Sequence, residues 1–451
     1  MDSIFNEIFT HVLESEVAEL VSLPEFIYFT QRDNPVSNTP EFMKVMLTLE
    51  SVVKSSSHLV RASNIIEKRA AEDLEAQRKE MFGSESTESE EDKESYISKI
   101  SSDLLDDGED FICNIGSNPN LEMAKKKSCN SCASSRTQSV FFKDEWGQTI
   151  KERLNAVFVD YFIDSATTSL IASEMNKTFK LVDKGKRGNY VLFYSPLDCP
   201  YNVYYGTSCG SMFSFVKRTD YRFKQSLNKE NALLSGENVD CAGYVIYGCS
   251  TVLTLAIRNG GLHQFTLDAN LGMFIMTATN MRTPTKGKIY TINESLAPSW
   301  NSVVTQYIEK KKKEDRLDYY QTGSVVSTLH YIIKEGGIFI DPSTEEYRHG
   351  ETQLLFAAIP MAFLMQECGG ACYGGNGLQD VLQIYPQTLH ETIPIFFGSK
   401  EEVEGLKELF SLIGILLKRS CHSPSDLPVA VLTNNDEIAF YIVEYKFAML
   451  E

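Results

Sequence analysis

The patterning of this chain predicts a layered α/β or α+β protein, on three observations. Of its 451 residues, 43% are apolar and 11% aromatic, enough for a large core and two or three domain-sized units. From about Trp146 onward, helical apolar spacings alternate with short β-rich runs that are separated by Gly, Asn and Asp. No repeat of about 20–50 residues breaks that alternation.

The elements follow in chain order. Phe42, Val45, Met46, Leu49, Val52, Val53, Leu59 and Val60 recur at helical spacing, with Asn38 or Thr39 as cap and Pro40 in the first turn. Residues 1–67 therefore read as an N-terminal helical segment. Residues 68–140 are rich in acids and serines and read as an acidic low-complexity insert, disordered or loosely helical. Within it, Ser84, Ser86, Thr87 and Ser89 lie beside acids and are candidates for phosphorylation, a plain solubilising loop being the simpler reading. Cys129 and Cys132 form a CxxC pair after a lysine run, a candidate for redox chemistry, and no second pair stands ready to complete a zinc site.

Residues 150–162 carry helical periodicity, and 190–194, 245–247, 251–257, 264–267 and 273–276 read as strands. A helix follows at 325–334, a strand at 337–340, a buried helix at 353–366 and a strand at 395–397 that ends at Gly398. The basic run 310–313 reads as the end of an amphipathic helix. These elements divide into a first α/β layer pair at 141–230, a C-terminal α/β domain at 231–417 and an extension at 418–451.

A formal charge of −18 and a pI near 5.0 argue against nucleic acid, whose binding depends on clustered Lys and Arg. The first residues, MDSIFNEIF, lack a basic leader, and the longest apolar stretch, 354–365, contains Pro360 and is shorter than the ~20 residues a membrane helix needs. A cytoplasmic protein with no membrane contact is expected. Ten cysteines scattered along a long chain are expected to be mostly reduced and buried.

Six segments share one resemblance: CAGYVIYGCSTVLTLA (241–256), FTLDANLGMFIMT (265–277), KGKIYTINES (286–295), GSVVSTLHYIIKEGGIF (323–339), PMAFLMQECGG (360–370) and IYPQTLHETIPIFFGSKEEV (384–403). In order and spacing they resemble class I fructose-1,6-bisphosphatase over roughly 145–410. The resemblance implies an αβαβα sandwich, a homotetramer, and a gluconeogenic reaction in which water removes a sugar phosphate with divalent metals held by carboxylates.

The positions implied to carry that chemistry are altered. The family's metal turn Asp-Pro-Leu-Asp-Gly-Ser-Ser-Asn reads Ser195-Pro196-Leu197-Asp198-Cys199-Pro200-Tyr201-Asn202, and its Ser-Glu-Glu-Asp reads Ser173-Glu174-Met175-Asn176. Pro200 offers no N–H to a phosphate and Tyr201 adds bulk. Lys151 falls on an aspartate position of the family's mobile loop, with Asp144 and Glu145 as the nearby acids, and Ala357 falls on a metal-bridging glutamate. The six positions of the distal phosphate pocket are Asn293, Leu296, Tyr320, Gln321, Asp341 and Glu351, of which the asparagine alone matches. Glu351 stands in place of a lysine. The Lys-Tyr pair of the family's AMP site reads Asn189-Tyr190, so AMP control is not expected.

Glu174 and Asp198 are the residual metal positions, adequate at most for one weakly held Mg²⁺, and no cofactor is expected. The plainer role for Asp198 and Asn202 is to hold their turn by Asx-type hydrogen bonds. The expectation is a non-catalytic paralogue with a regulatory or scaffolding role, assembling as a homotetramer or with an active relative. One alternative is a working Mg²⁺-dependent sugar-bisphosphate phosphatase. Another is a ligand sensor lined by Tyr201, Tyr204, Tyr205 and Tyr320.

Overall fold

Among the described residues, three helices precede the first strand: α1 (Leu23–Thr30), α2 (Pro40–Phe82) and α3 (Glu145–Asp164). The structure, a computed structural model, describes residues 20–30, 34, 36, 38–82, 145–218, 233–344, 346–375 and 378–420, without the side chains of 64–82, 145–149 and 412–420. Cys129, Cys132, the four phosphorylation candidates and the extension beyond Ser420 lie outside these residues. Thr39 caps α2, its Oγ1 accepting from the Phe42 N–H at 3.2 Å. The apolar stripe of α2 fades after Arg61, yet the helix continues to Phe82. Its later residues, rich in Ala, Glu, Lys and Arg, favour helix without needing a buried face.

Strands β1 (Thr168–Ser173), β2 (Lys180–Leu181), β3 (Tyr190–Ser195), β4 (Cys209–Lys217), β5 (Cys241–Tyr247), β6 (Thr251–Ile257), β7 (Gly261–Asp268) and β8 (Met273–Ala278) form one sheet, with the short helix α4 (Pro200–Tyr204) between β3 and β4. The spatial order is β2-β1-β3-β4-β5-β6-β7-β8. β1 and β3 run parallel, placing the turns that follow them at the same sheet end, and β3 through β8 are antiparallel neighbours.

A second, six-stranded sheet is built from β9 (Ile289–Thr291), β10 (Asp318–Tyr319), β11 (Gly337–Asp341), β13 (Ala371–Gly374), β14 (Gln379–Asp380) and β16 (Ile395–Gly398). Helices α5 (Ser302–Lys310), α6 (Val325–Glu335), α7 (Ile359–Glu367) and α8 (Lys400–Ser420) and the small pair β12 (Thr352–Gln353) and β15 (Thr392–Ile393) are the other α-helices and strands among the described residues.

Both faces of the central strands of the first sheet are buried, and alternate residues go to different cores. Ile171, Leu192, Tyr194, Phe213 and Leu255 face α1, α2 and α3, packing against Phe26, Phe42, Leu49, Leu154 and Phe158. Leu170, Ala172, Val191, Phe193 and Ala242 face the other way, toward Val326, Leu329 and Ile332 of α6 and Met361, Leu364 and Met365 of α7. The far face of the second sheet, with Tyr290, Ile338, Ile340 and Phe396, packs on Val304, Tyr307 and Ile308 of α5 and on Val403 and Leu406 of α8. The layers are thus helices, sheet, helices, sheet, helices: the αβαβα sandwich expected from the sequence.

Two local features depart from the simple pattern. The expected helix at 353–366 begins as a π-helical turn, Leu354–Ala358, and becomes α7 at Ile359. Pro360 has no N–H to return to the Phe356 carbonyl, and a widened turn is one relief for that missing bond. At the junction of β11 and β16, Gly398 has φ +152° and a Cβ there would lie 2.1 Å from the Gly337 carbonyl oxygen. Only glycine permits that approach.

The described cysteines Cys199, Cys209, Cys241, Cys368 and Cys372 are buried thiols, and Cys249 is exposed. Among the described residues no helix is long and apolar enough to cross a membrane.

Candidate functional site

Helix α3 supplies the first part of the site. Its inward stripe runs Lys151, Leu154, Asn155, Phe158 and Phe162, spacings of three and four that put all five side chains on the sheet side. Phe158 stacks on Tyr194 of β3 with ring centres 4.5 Å apart. One turn earlier, Asn155 Oδ1 accepts from Ser173 Oγ at 2.5 Å and from Tyr194 Oη at 2.7 Å. A further turn back, the Lys151 ammonium pairs with the Glu174 carboxylate. Their side chains are only 3% and 7% exposed.

Glu174 sits in the turn after β1. Its N–H donates to the Tyr194 carbonyl at 3.2 Å, and the Met175 N–H bonds back to Ser173 Oγ at 3.2 Å. The next carbonyl, of Asn176, accepts from His390 Nε2 at 2.8 Å. The turn is therefore fixed from the helix on one side and from the 386–391 loop on the other.

The turn after β3 brings Asp198 to the beginning of α6. One carboxylate oxygen accepts from the Gly210 N–H at 2.7 Å; the other accepts from Ser324 Oγ at 2.5 Å and from the Val326 N–H at 2.9 Å. Ser324 is the N-cap of α6 and also accepts from the Ser327 N–H at 3.0 Å. Asp198 thus satisfies one of the helix's orphan amides, where a carboxylate is favoured by the helix dipole. Removal from water still outweighs these bonds and holds the Asp198 carboxyl above the usual carboxylate range.

Asn202 makes a matching connection, donating from Nδ2 to the Ser208 carbonyl at 2.7 Å and to the Thr322 carbonyl at 3.2 Å. Beyond the local turn, Asp198 and Asn202 also tie segments together, because Ser208, β4 and the 322–326 segment come close enough to supply partners. Between these two residues, Cys199 stands at the N-cap position of α4 without a side-chain capping bond, and Pro200 occupies its first turn. Pro200 is buried, Tyr201 is half-buried, and Tyr204 and Tyr205 are exposed with their rings edge to face.

Ser195 is buried at the end of β3. Ala357 lies in the π-helical turn, which packs against β3 and β4, and presents a methyl group there. Asp144 is outside the described residues, as is the side chain of Glu145. Among the described residues, no group of three or more His, Cys, Asp or Glu side chains is placed to hold a metal ion. A hard divalent ion needs several oxygen donors. The set here is a hydroxyl, a thioether, a methyl, a lysine-paired Glu174 and an Asp198 bonded to three protein donors, and it does not fit such an ion.

The six distal positions are likewise occupied with local structure. Asn293 Oδ1 caps a 3₁₀ turn through Ser295, at 2.6 Å from its hydroxyl and 3.2 Å from its N–H, and Leu296 is half-buried in that turn. Tyr320 stacks on Tyr331 at 4.1 Å between centres, and Gln321 is exposed. Asp341 accepts from Thr352 Oγ1 at 2.6 Å and from the N–H groups of Thr352 and Glu351 at 3.1 and 3.3 Å. Burial pushes its carboxyl up to about 6. None of the six side chains is cationic, so nothing in this set neutralises a phosphate dianion. The AMP-site position Asn189 donates from Nδ2 to Glu41 of α2 at 2.6 Å.

Sequence reasoning placed Glu174, Asp198 and Lys151 in one neighbourhood but missed the Lys151–Glu174 pair and the roles of Asn155 and Ser324. A signal was present for the first two. Lys151 and Asn155, four residues apart, interrupt an otherwise apolar helix face.

Family comparisons match residues 150–279 to the N-terminal domain of fructose-1,6-bisphosphatase and residues 283–411 to its C-terminal domain. The cytosolic fructose-1,6-bisphosphatase of Musa acuminata is 36% identical over 261 residues, covering 57% of this chain and 75% of the relative. That of Pisum sativum is 34% identical over 263 residues, with the same coverage of each. Among solved structures, the holo form of Leishmania major fructose-1,6-bisphosphatase superposes with a TM-score of 0.64 at 23% identity, covering 87% of this chain and 99% of that one.

Proposed function

The chain belongs to the fructose-1,6-bisphosphatase family, and on that footing we propose that it is a non-catalytic member with a regulatory or scaffolding role in carbohydrate metabolism. The observation that carries the reading is Asp198, whose two oxygens are bonded to Gly210, Ser324 and Val326 and brace a helix. Ser195, Met175 and Ala357 support it, since none brings a carboxylate to the site. So does the distal set, where Asp341 and Glu351 would meet an incoming phosphate with acid rather than base.

In this reading the protein works through its surface, as a homotetramer or as a subunit beside an active relative, in the cytosol that the matching relatives' names specify. Nucleic acid is not among its partners, given the charge of −18.

The test is release of inorganic phosphate from fructose 1,6-bisphosphate by the purified full chain, with Mg²⁺ and Mn²⁺ titrated and a cytosolic fructose-1,6-bisphosphatase run alongside. The expected result is no release above that of the Glu174→Gln/Asp198→Asn double variant. Metal-dependent release above that control overturns the non-catalytic reading and makes the chain a working phosphatase.

A further inference from the structure

We propose that the Lys151 ammonium is a built-in cation standing where the family's site takes a divalent metal, and that it keeps this site closed to one. The inference rests on the non-catalytic reading and supplies its physical cause.

The placement is specific. Lys151 and Asn155 are four residues apart on one face of α3, neighbours on the helix surface. They meet two consecutive residues of the turn after β1: Asn155 bonds Ser173, and Lys151 pairs with Glu174. Tyr194 and Phe158 lock the same helix face onto β3 through a stacked pair and a hydrogen bond to Asn155. The lysine is thus delivered to Glu174 by a braced helix. It does not reach there as a loose surface side chain.

The energetics favour the same conclusion. Glu174 is 7% exposed, and a carboxylate so far removed from water needs a positive partner close by. A metal ion or an ammonium can meet that need, but both cannot occupy one face of one carboxylate. With Lys151 in place, an arriving divalent ion meets a like charge, finds Glu174 already neutralised, and finds Asp198 bonded to three protein donors. Lysine serves here because its compact ammonium on a long stem covers the distance from helix to turn.

Removing the lysine should therefore reopen a cation site. Thermal melts of the full chain are measured in EDTA, in MgCl₂, in MnCl₂ and in NaCl of matched ionic strength, for wild type, Lys151→Asp and Lys151→Ala. Wild type is expected to melt at one temperature in divalent and matched monovalent salt. Lys151→Asp places two carboxylates together; it is expected to melt lower in EDTA and to gain a saturable rise of roughly 3 °C with Mn²⁺ or Mg²⁺. Lys151→Ala adds no charge and decides the matter if Lys151→Asp does not fold in EDTA. A saturable divalent-specific rise in that variant supports the proposal.

A saturable divalent-specific rise in wild type overturns the proposal, and so does its absence from both variants. The phosphate assay is separate. Release that needs no divalent ion would overturn the non-catalytic reading and leave the lysine's role standing, whereas a metal-stabilised but inactive wild type would do the reverse.

Discussion

Asp198→Ala separates a carboxylate kept for folding from one kept for a metal. Its loss leaves the Gly210 and Val326 N–H groups and the Ser324 hydroxyl without their acceptor, at contacts of 2.7, 2.9 and 2.5 Å. Hydrogen bonds to a charged group contribute about 1.5–3 kcal/mol each, and an orphaned buried donor costs about 1–3 kcal/mol. Against this, the raised carboxyl means that burying the charge is itself unfavourable, so part of the loss is returned when the charge goes. The net expectation is a destabilisation of about 3–5 kcal/mol. Asp198→Asn retains one acceptor oxygen. Its NH₂ can donate to Ser324 Oγ after the hydroxyl turns, but it opposes the Val326 N–H, so about 2 kcal/mol is expected. Urea unfolding in EDTA is the assay, with the midpoint expected to fall and the slope to stay constant. A carboxylate held in place for a metal behaves oppositely, because removing one member of a functional charge cluster leaves metal-free stability unchanged or higher. An Asp198→Ala chain as stable as wild type in EDTA refutes the bracing role.

Two further predictions concern neighbouring groups. The folded-state value of Asp341 is about 6, above the ordinary value of 3.8, so the native chain holds this proton more firmly than the unfolded chain does. Its contribution is therefore most favourable below about pH 4 and is lost as pH rises toward 6, by about 3 kcal/mol in total; Asp341→Asn should remove that fall from unfolding free energies measured between pH 4 and 7, and an unchanged difference between the two proteins across that range would refute it. Asn155→Ala deprives Ser173 Oγ and the fully buried Tyr194 Oη of one acceptor, at an expected loss of about 2–3 kcal/mol; combined with Tyr194→Phe in a double-mutant cycle, the losses should fall short of additive, and strict additivity would show that the bond carries no coupling.

The layers were legible because burial on both faces leaves continuous apolar runs, such as 190–194, that only interior strands tolerate. The helices at 325–335 and 40–61 were legible from the apolar residues that now line the two cores. What was not legible falls into two kinds. The two-residue strands β2, β10, β12, β14 and β15 exist through their pairing with neighbouring strands, β10, β12 and β15 with segments far away in sequence, and two residues carry no period. The Lys151–Glu174 pair joins residues 23 positions apart, of which Glu174 reads as a residual metal position and Lys151 as a replaced aspartate, with nothing in either segment to say that they meet. Sequence shows that a charge lies on a helix face, whereas only the fold shows what that face is pressed against.

The altered turn after β3 shows how much of an eight-residue motif the fold itself asks for. Pro196 gives its carbonyl to Ser211 Oγ at 2.6 Å, Leu197 is fully buried, Asp198 caps α6 and Asn202 ties β4's approach to the 322–324 segment. These four are the positions at which the chain agrees with the family's turn, and each has a packing or hydrogen-bonding task that does not involve a ligand. Ser195, Cys199, Pro200 and Tyr201 are the four at which it differs. Three of these place their differences in strand- or helix-compatible ways: Ser195 ends β3, Cys199 precedes α4 at its N-cap position, and Pro200 lies where a first-turn proline loses no bond. Agreement at Asp198 is thus no argument for catalysis, because the fold alone accounts for it. The Lys151–Glu174 pair extends the same logic to charge: a folded chain needs Glu174 neutralised, and an ammonium delivered by α3 does so without any metal.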